Sequence, residues 1–267
     1  MTLKFNREFL STYVGLAPLP LAFERTMECK IMSGRSFDRP VLDIGCGEGL
    51  FAKILFAEPL DTGIDPNQRE LDRARELGAY KRLICCAGDA VPEPDGSYRT
   101  IFSNSVMEHI PILDPVLAES FRLLQSGGHF YATVPSKHFD EYSAISQLFG
   151  ILGMPGLQAR YRAFYNRFWA HYHYAEPAAW AERVRAHGFE ILEVFSYAPK
   201  RICLLNDLLV PTSLPGFLSK RYTNRWTFVP GLRRIALAPI TMGARLLLRG
   251  AERCEHGGLV FISARKP

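Results

Sequence analysis

The sequence predicts an α/β fold in which a doubly wound, mostly parallel sheet of seven strands carries helical cap additions. Three observations lead there. Between residues 40 and 134, short β-branched or apolar runs alternate with longer segments of helical periodicity, as parallel strands with crossover helices require. The first of these runs ends in a glycine-rich turn, VLDIGCGEG at 41–49, that leads straight into a helical segment. Near the C-terminus, one more helix-and-strand unit and the run GLVFISARK from Gly258 bring the strand count to seven.

Taken in order, strands are expected near 40–44, 61–64, 82–86, 99–103 and 128–134, with helices between them near 48–57, 67–77 and 114–125. Pro177 opens a further helix that His187 and Gly188 close, and Phe189 to Tyr197 returns as a strand. Three stretches stand outside this alternation. Residues 1–35 read as an N-terminal helical cap, 136–175 as an insertion rich in Phe, Tyr and Trp, and 199–256 as a basic, apolar helical insertion with prolines at 211, 215, 230 and 239. The sheet domain is then 36–198 together with 257–267.

A chain of 267 residues, 48% hydrophobic and 22% charged, buries a substantial core, which excludes a disordered chain. Its net charge of +5 is unevenly placed: residues 199–255 hold ten Lys or Arg against Asp207, Glu252 and Glu255. Without an RNA-reading module this basic segment does not argue for nucleic acid. The six cysteines form no CxxC pair and have neither zinc-site nor disulfide spacing, so a reduced, cytoplasmic setting fits. Lys4 and Arg7 before an uncharged stretch imitate a secretion leader, but Pro18 and Pro20 interrupt it. The charge-free stretch Ile235 to Ala244 falls far short of the ~20 residues that span a bilayer, and no transmembrane helix is expected.

In VLDIGCGEG the strand ends near Asp43 and turns through Gly45, Gly47 and Gly49, so backbone can approach a nucleotide-type ligand without a Cβ in the way. The dinucleotide fingerprint G-x-G-x-x-G needs glycine at position 50, which is Leu50. Four further motifs follow: TGIDPN at 62–67, GDA at 88–90, SNSVMEHI at 103–110 and LLQSGGHFYATVPS at 123–136. Together they resemble the class I (Rossmann-like) S-adenosylmethionine-dependent methyltransferases, whose first motif is a strand followed by D-x-G-x-G-x-G. The resemblance covers most of 40–197 plus the final strand, and is nearest to the branch acting on small molecules and lipids, including quinone-biosynthesis methyltransferases.

The resemblance implies an antiparallel last strand and S-adenosyl-L-methionine as cofactor, held around Asp43, Gly45, Cys46, Gly47, Asp65, Pro66, Asp89, Ala90, Asn104, Ser105 and His109. Physical reasoning supports several of these positions. Asp65 ends the second strand, where a carboxylate can accept from both ribose hydroxyls, and Asp89 can accept from the adenine amino group while Ala90 offers its N–H to the ring. Asp43 would lie near the methionine amino group. Asn104 and Ser105 end the fourth strand, at the sheet edge where such folds bind ligands.

Three histidines are candidates for catalysis. His109 either removes a proton from the acceptor or only packs locally. His171 and His173 alternate with Tyr172 and Tyr174, so an extended chain places both histidines on one face, toward either the acceptor pocket or the cap. No grouped carboxylate or HxxxH pattern accompanies them, and no metal is expected. In GLRRIALAPITMGARLLLRGAER, Arg245, Arg249 and Arg253 recur every fourth residue, which predicts one basic helix face; 231–253 would serve as a lid, as a phosphate-binding wall or as peripheral contact with an anionic membrane. The expected function is methyl transfer to oxygen or carbon of a small hydrophobic acceptor: a lipid, isoprenoid, quinone or aromatic natural product. N-methylation of a small amine, tailoring of a glycan precursor and a non-catalytic cofactor-binding scaffold are the alternatives. The sequence gives no oligomeric state.

Overall fold

The structure is a computed structural model, described for residues 2–223 and 225–267. Two N-terminal helices, α1 (Phe9–Leu16) and α2 (Leu19–Ser33), precede the alternating part: β1 (Val41–Ile44), α3 (Leu50–Leu55), β2 (Leu60–Asp65), α4 (Gln68–Leu77), β3 (Tyr80–Cys85), β4 (Tyr98–Asn104), α5 (Asp114–Leu123) and β5 (Leu124–Pro135). The aromatic insertion folds as α6 (Ala144–Ile151) and α7 (Pro155–Phe168). After it come α8 (Pro177–Ala186) and β6 (Glu190–Pro199). The second insertion holds α9 (Lys200–Leu209), α10 (Leu214–Thr223), α11 (Pro230–Ala236) and α12 (Ala238–Leu247), and β7 (Gly257–Arg265) closes the chain.

The sheet order is β3-β2-β1-β4-β5-β7-β6. β1 to β5 pair in parallel, whereas β7 runs antiparallel to both β5 and β6, so six strands point one way and β7 the other. The expected architecture is therefore the observed one. Alternation of side chains along each strand divides the core in two. Val41, Phe102 and Tyr131 face α1, α2 and α3, where Phe37 and Phe56 join them in edge-on ring contacts. Leu42, Ile101 and Phe130 face the other way, onto Leu117 of α5 and Trp180 and Val184 of α8.

The helix starts follow local chemistry. Asn67 caps α4, its side chain accepting from the Arg69 N–H at 3.1 Å, and Gly78 ends that helix in the left-handed region at φ 63°. Pro177 sits in the first turn of α8, where its missing N–H costs no hydrogen bond.

Two expectations about the second insertion are corrected. Arg245, Arg249 and Arg253 do not share a helix face, because α12 ends at Leu247 and the chain turns at Gly250, φ 69°. Arg245 pairs with Glu8 at 2.9 Å, and Arg253 pairs with Glu193 at 2.6 Å while lying over the Phe195 ring. Second, Lys200–Thr223 forms a continuous helical run of 24 residues, long and apolar enough by length and composition to cross a membrane. Pro211 and Pro215 do not break it. Each falls at a first-turn position, Pro211 in the 3-10 turn Val210–Ser213 and Pro215 in α10 just behind it.

Candidate active site

At the end of β1 the backbone turns sharply: the N–H groups of Gly45 and Cys46 both donate to the Ile64 carbonyl, each at 2.9 Å. Gly45 has φ 75°, and a Cβ there would lie 2.4 Å from a Val106 methyl, so only glycine fits. Gly47 has φ 51° and nothing within 4 Å of where a Cβ would be. Its surface is open backbone, the form a ligand cradle takes. Asp65 is fixed beside it, accepting from the Gly47 N–H at 3.0 Å and the Asn67 N–H at 2.8 Å.

Asp43 is buried below this turn and accepts from the Tyr80 hydroxyl at 2.6 Å. Burial pushes its carboxyl up to about 7, against the downward pull of the Tyr80 bond. Cys46 is also buried, and its thiol packs into the core against Gly63 rather than lying on the open side of the turn. Pro66 lies in the bend that follows β2, its carbonyl 3.6 Å from the Cys85 thiol. Asp89 and Ala90 are exposed in the turn after β3.

The end of β4 is built around a residue that sequence reasoning missed. Glu28 of α2 is fully buried, and every group around it is a donor: Arg25 at 2.6 and 2.9 Å, Asn104 at 2.8 Å, Tyr197 at 3.0 Å and Ser105 at 3.2 Å. Arg25 also donates to the Ser105 hydroxyl at 2.6 Å. Ser105 is held at φ 52°, its N–H bonded to Thr133. Asn104 is therefore engaged with α2 and Thr133, whereas Ser105 and Arg25 reach the adjoining cavity. The charged pair Arg25 and Glu28, at i, i+3 in α2 between Phe23, Met27 and Cys29, was the available signal.

That cavity, about 240 Å³, lies between the sheet edge, α2 and both insertions. Its walls are mostly apolar, with Phe139, Trp169, Phe217 and Trp226 among them. Arg25, Ser105, Glu108, His109 and His171 are among its polar groups on the side of β4 and α2, with Asn206, Asp207 and Ser213 of the second insertion contributing others. Glu108 is buried with Oε2 unpartnered, and burial pushes its carboxyl up to about 8. His109 Nδ1 lies 3.2 Å from the Ala170 carbonyl, so Nδ1 carries the proton and Nε2 is left as acceptor. Its ring centroid is 5.2 Å from that of His171, whose imidazole burial pushes down to about 4. Both rings are neutral near pH 7.

His173 does not join them. The segment after α7 is a loop, not an extended strand, and the N–H groups of Tyr172 and His173 both turn back to the Glu108 carbonyl. His173 Nε2 donates to the Ile110 carbonyl at 2.9 Å and its Nδ1 accepts from Arg183 at 3.0 Å, so both nitrogens are used outside the cavity. The shared face expected for His171 and His173 is not formed. The fold instead brings together Glu108, His109 and His171, with one ligand-type atom of each within 4.8 Å of the others. No HxxxH or grouped carboxylate pattern marks these three residues in the sequence, and no metal ligands were expected among them.

The second insertion also reaches the glycine turn. Trp226 Nε1 donates to Glu48 at 2.8 Å, Lys220 pairs with the same carboxylate at 3.1 Å, and the Lys220 ammonium lies 4.5 Å from the Trp226 ring centre. Lys220 and Trp226 thus tie this cavity, which Trp226 lines, to the Gly47–Gly49 loop.

Comparison with known proteins agrees with this geometry. Residues 22–194 match a family model described as methyltransferase domain. The chain belongs to the S-adenosylmethionine-dependent methyltransferases. The matched span starts within α2, so the helix bearing Arg25 and Glu28 falls inside the family region. Among curated relatives, this methyltransferase is 28% identical over 123 residues to a ubiquinone biosynthesis O-methyltransferase of Vibrio atlanticus, covering 44% of this chain and 50% of the relative. It is 33% identical over 101 residues to sterol 24-C-methyltransferase erg-4 of Neurospora crassa, covering 35% and 27%. The chain thus spans about half the length, or less, of these relatives. A solved S-adenosylmethionine-dependent methyltransferase of Thermotoga maritima superposes with a TM-score of 0.58 at 16% identity, covering 93% and 92%, and shows the shared fold.

The residues present fit S-adenosylmethionine. Gly47 leaves open backbone, Asp65 is held rigidly beside it, and Asp43 is a buried carboxyl whose ionised form a neighbouring ammonium group would favour.

Proposed function

We propose that this chain transfers a methyl group from S-adenosylmethionine to an oxygen or carbon of a small hydrophobic acceptor held in the cavity beside Ser105, Glu108 and His109. The observation that carries this reading is the cavity itself: apolar walls end in a cluster of neutral imidazoles at the carboxyl edge of β4. In such folds that edge is where ligands bind. When bound, the cofactor supplies a methyl group already activated on a sulfonium.

The chain then has to hold the acceptor in line, exclude water and take up a proton where one is lost. Phe139, Trp169, Phe217 and Trp226 hold and dry the acceptor. His171, with His109 beside it, accepts the proton of a phenol, enol or alcohol, for which a neutral imidazole is required. On the donor side Gly45 and Gly47 offer backbone, Asp43 faces the amino group, Asp65 and Pro66 border the ribose, and Asp89 and Ala90 border the adenine. Ser105 closes the boundary between the two ligands. A quinone precursor, isoprenoid, sterol or aromatic natural product suits the walls, and the names of the Vibrio and Neurospora relatives support that class.

The test is direct. Calorimetry with S-adenosylmethionine and S-adenosylhomocysteine should show binding of both, and absence of binding at millimolar concentration would remove the reading. Methyl-labelled cofactor incubated with a cell extract should then label the lipid-soluble fraction; label confined to peptides, polyamines or tRNA would refute the acceptor class.

A further inference from the structure

Residues 208–251 contain seven Lys or Arg and no Asp or Glu. The same segment exposes large apolar side chains on every helix it forms: Leu218 and Tyr222 of α10, Leu232 and Ile235 of α11, Met242 and Leu246 of α12. Tyr222 is 80% exposed and Ile235 72%, far more than the packing of a lid requires. Three cations are used within the molecule: Lys220 on Glu48, Arg245 on Glu8 and Arg233 on the Val14 and Ala17 carbonyls. Arg221, Arg225, Arg234 and Arg249 are exposed and have no acidic partner among the described residues. A shallow open groove between α1, α11 and α12 is lined by Ile235, Ala238 and Met242, with Arg234 and Arg245 at its rim.

We propose that this basic, apolar segment, which carries α10, α11 and α12, docks on the surface of an anionic phospholipid bilayer. Charge complementarity selects that occupant. A second copy of the chain meeting the same surface would set one net basic segment against another, and a nucleic acid would leave the apolar side chains without a partner. An anionic bilayer supplies phosphates for the arginines and an acyl region for Leu218, Tyr222, Ile235 and Met242. The run Lys200–Thr223 lies on the membrane and does not cross it. Its first half is anchored to the protein, with Ile202 buried and Asp207 accepting from the Ala144 N–H and the Tyr165 hydroxyl. Val210, Phe217 and Trp226 of the same segment line the acceptor cavity, which places its wall against the lipid.

The experiment is sedimentation of the full chain with vesicles of phosphatidylcholine alone or with one third phosphatidylglycerol. Binding should be at least tenfold stronger to the anionic vesicles and weaken as salt rises. The combined change Arg221→Gln, Arg225→Gln and Arg234→Gln should lower it on the order of a hundredfold. Met242→Ser with Leu246→Ser should lower it on both lipids. An unchanged melting temperature checks that each variant is folded. Equal binding to both vesicle types, no binding to either, or a stable dimer that protects Met242 and Leu246 would overturn the proposal. Vesicle binding is read without turnover, so its failure and failure of the methyl-transfer reading are separate results.

Discussion

Glu28→Gln changes one oxygen to an amide nitrogen and should cost far more than that suggests. The carboxylate accepts from Arg25, Asn104, Ser105 and Tyr197, and all four approach as donors. A carboxamide keeps one acceptor oxygen but turns a donor toward other donors, and leaves the Arg25 guanidinium with only Glu24, 3.4 Å away, as counter-charge. Breaking a buried ion pair from one side costs roughly 3 to 5 kcal/mol. With an unfolding entropy of about 2.1 cal/mol/K per residue over 267 residues, that is a fall in Tm of roughly 5 to 9 °C. Differential scanning calorimetry measures it. The double variant Arg25→Met, Glu28→Gln removes both charges, and its loss should be smaller than the sum of the two single losses by more than about 1 kcal/mol. A Glu28→Gln protein melting within about 1 °C of the parent, or strictly additive losses, would refute the reasoning. Because Glu28 also orients Ser105, the single variant should weaken S-adenosylhomocysteine binding as well.

Gly45→Ala forces a methyl into the Val106 side chain at a positive φ, so cofactor affinity should fall at least about tenfold by calorimetry. Adding Val106→Ala should recover only part of it, because the backbone strain stays; full recovery would mean that the clash alone matters. His171 must be neutral to accept a proton, and burial lowers its protonation to about 4. With acceptor in hand and cofactor saturating, His171 should give kcat a separate acid limb only as pH approaches 4, when the ring gains its proton, well below the titrations of Asp43 near 7 and Glu108 near 8. His171→Asn should lower kcat by roughly a hundredfold or more and abolish that decline, with cofactor affinity kept. An unchanged acid limb in the variant would assign the titration elsewhere. Glu48→Gln weakens the contacts to Trp226 and Lys220, and should raise proteolysis within 214–229 while barely moving Tm; equal cleavage would show that the contacts do not hold the cap closed.

The parts of the molecule that were legible from sequence are those specified locally. The strand VLDI, its glycine turn and Asp65 lie within one strand–helix–strand unit, where period and turn chemistry suffice. The Glu28 cluster was not legible, because it joins α2 to the ends of β4 and β6, and no local pattern announces that convergence. His171 was placed in the right region, but its partner was not: the turn back to Glu108 rotates His173 away, which alternation along a strand cannot show. The arginine stripe failed for a local reason, the left-handed Gly250 that ends the helical path. The membrane reading rested on the charge-free stretch Ile235 to Ala244, whereas the long apolar run lies earlier, across Pro211 and Pro215, which both occupy first-turn positions that tolerate proline.

Pro199 and Gly257 are register partners on neighbouring strands. The second insertion therefore leaves the sheet at the end of β6 and rejoins it at the start of β7, pairing with β6 again on its return: the Ala198 N–H donates to the Ala251 carbonyl and the Cys254 N–H to the Ser196 carbonyl, each at 2.9 Å. To the sheet, residues 200–256 are one excursion between paired strands, anchored in the core by Ile202, Ala244, Leu248 and Ala251 and tied to the glycine turn through Glu48. Under the proposed function, Val210, Phe217 and Trp226 of this excursion shape one wall of the acceptor side, while the glycine turn and Asp65 that face the donor are encoded before it.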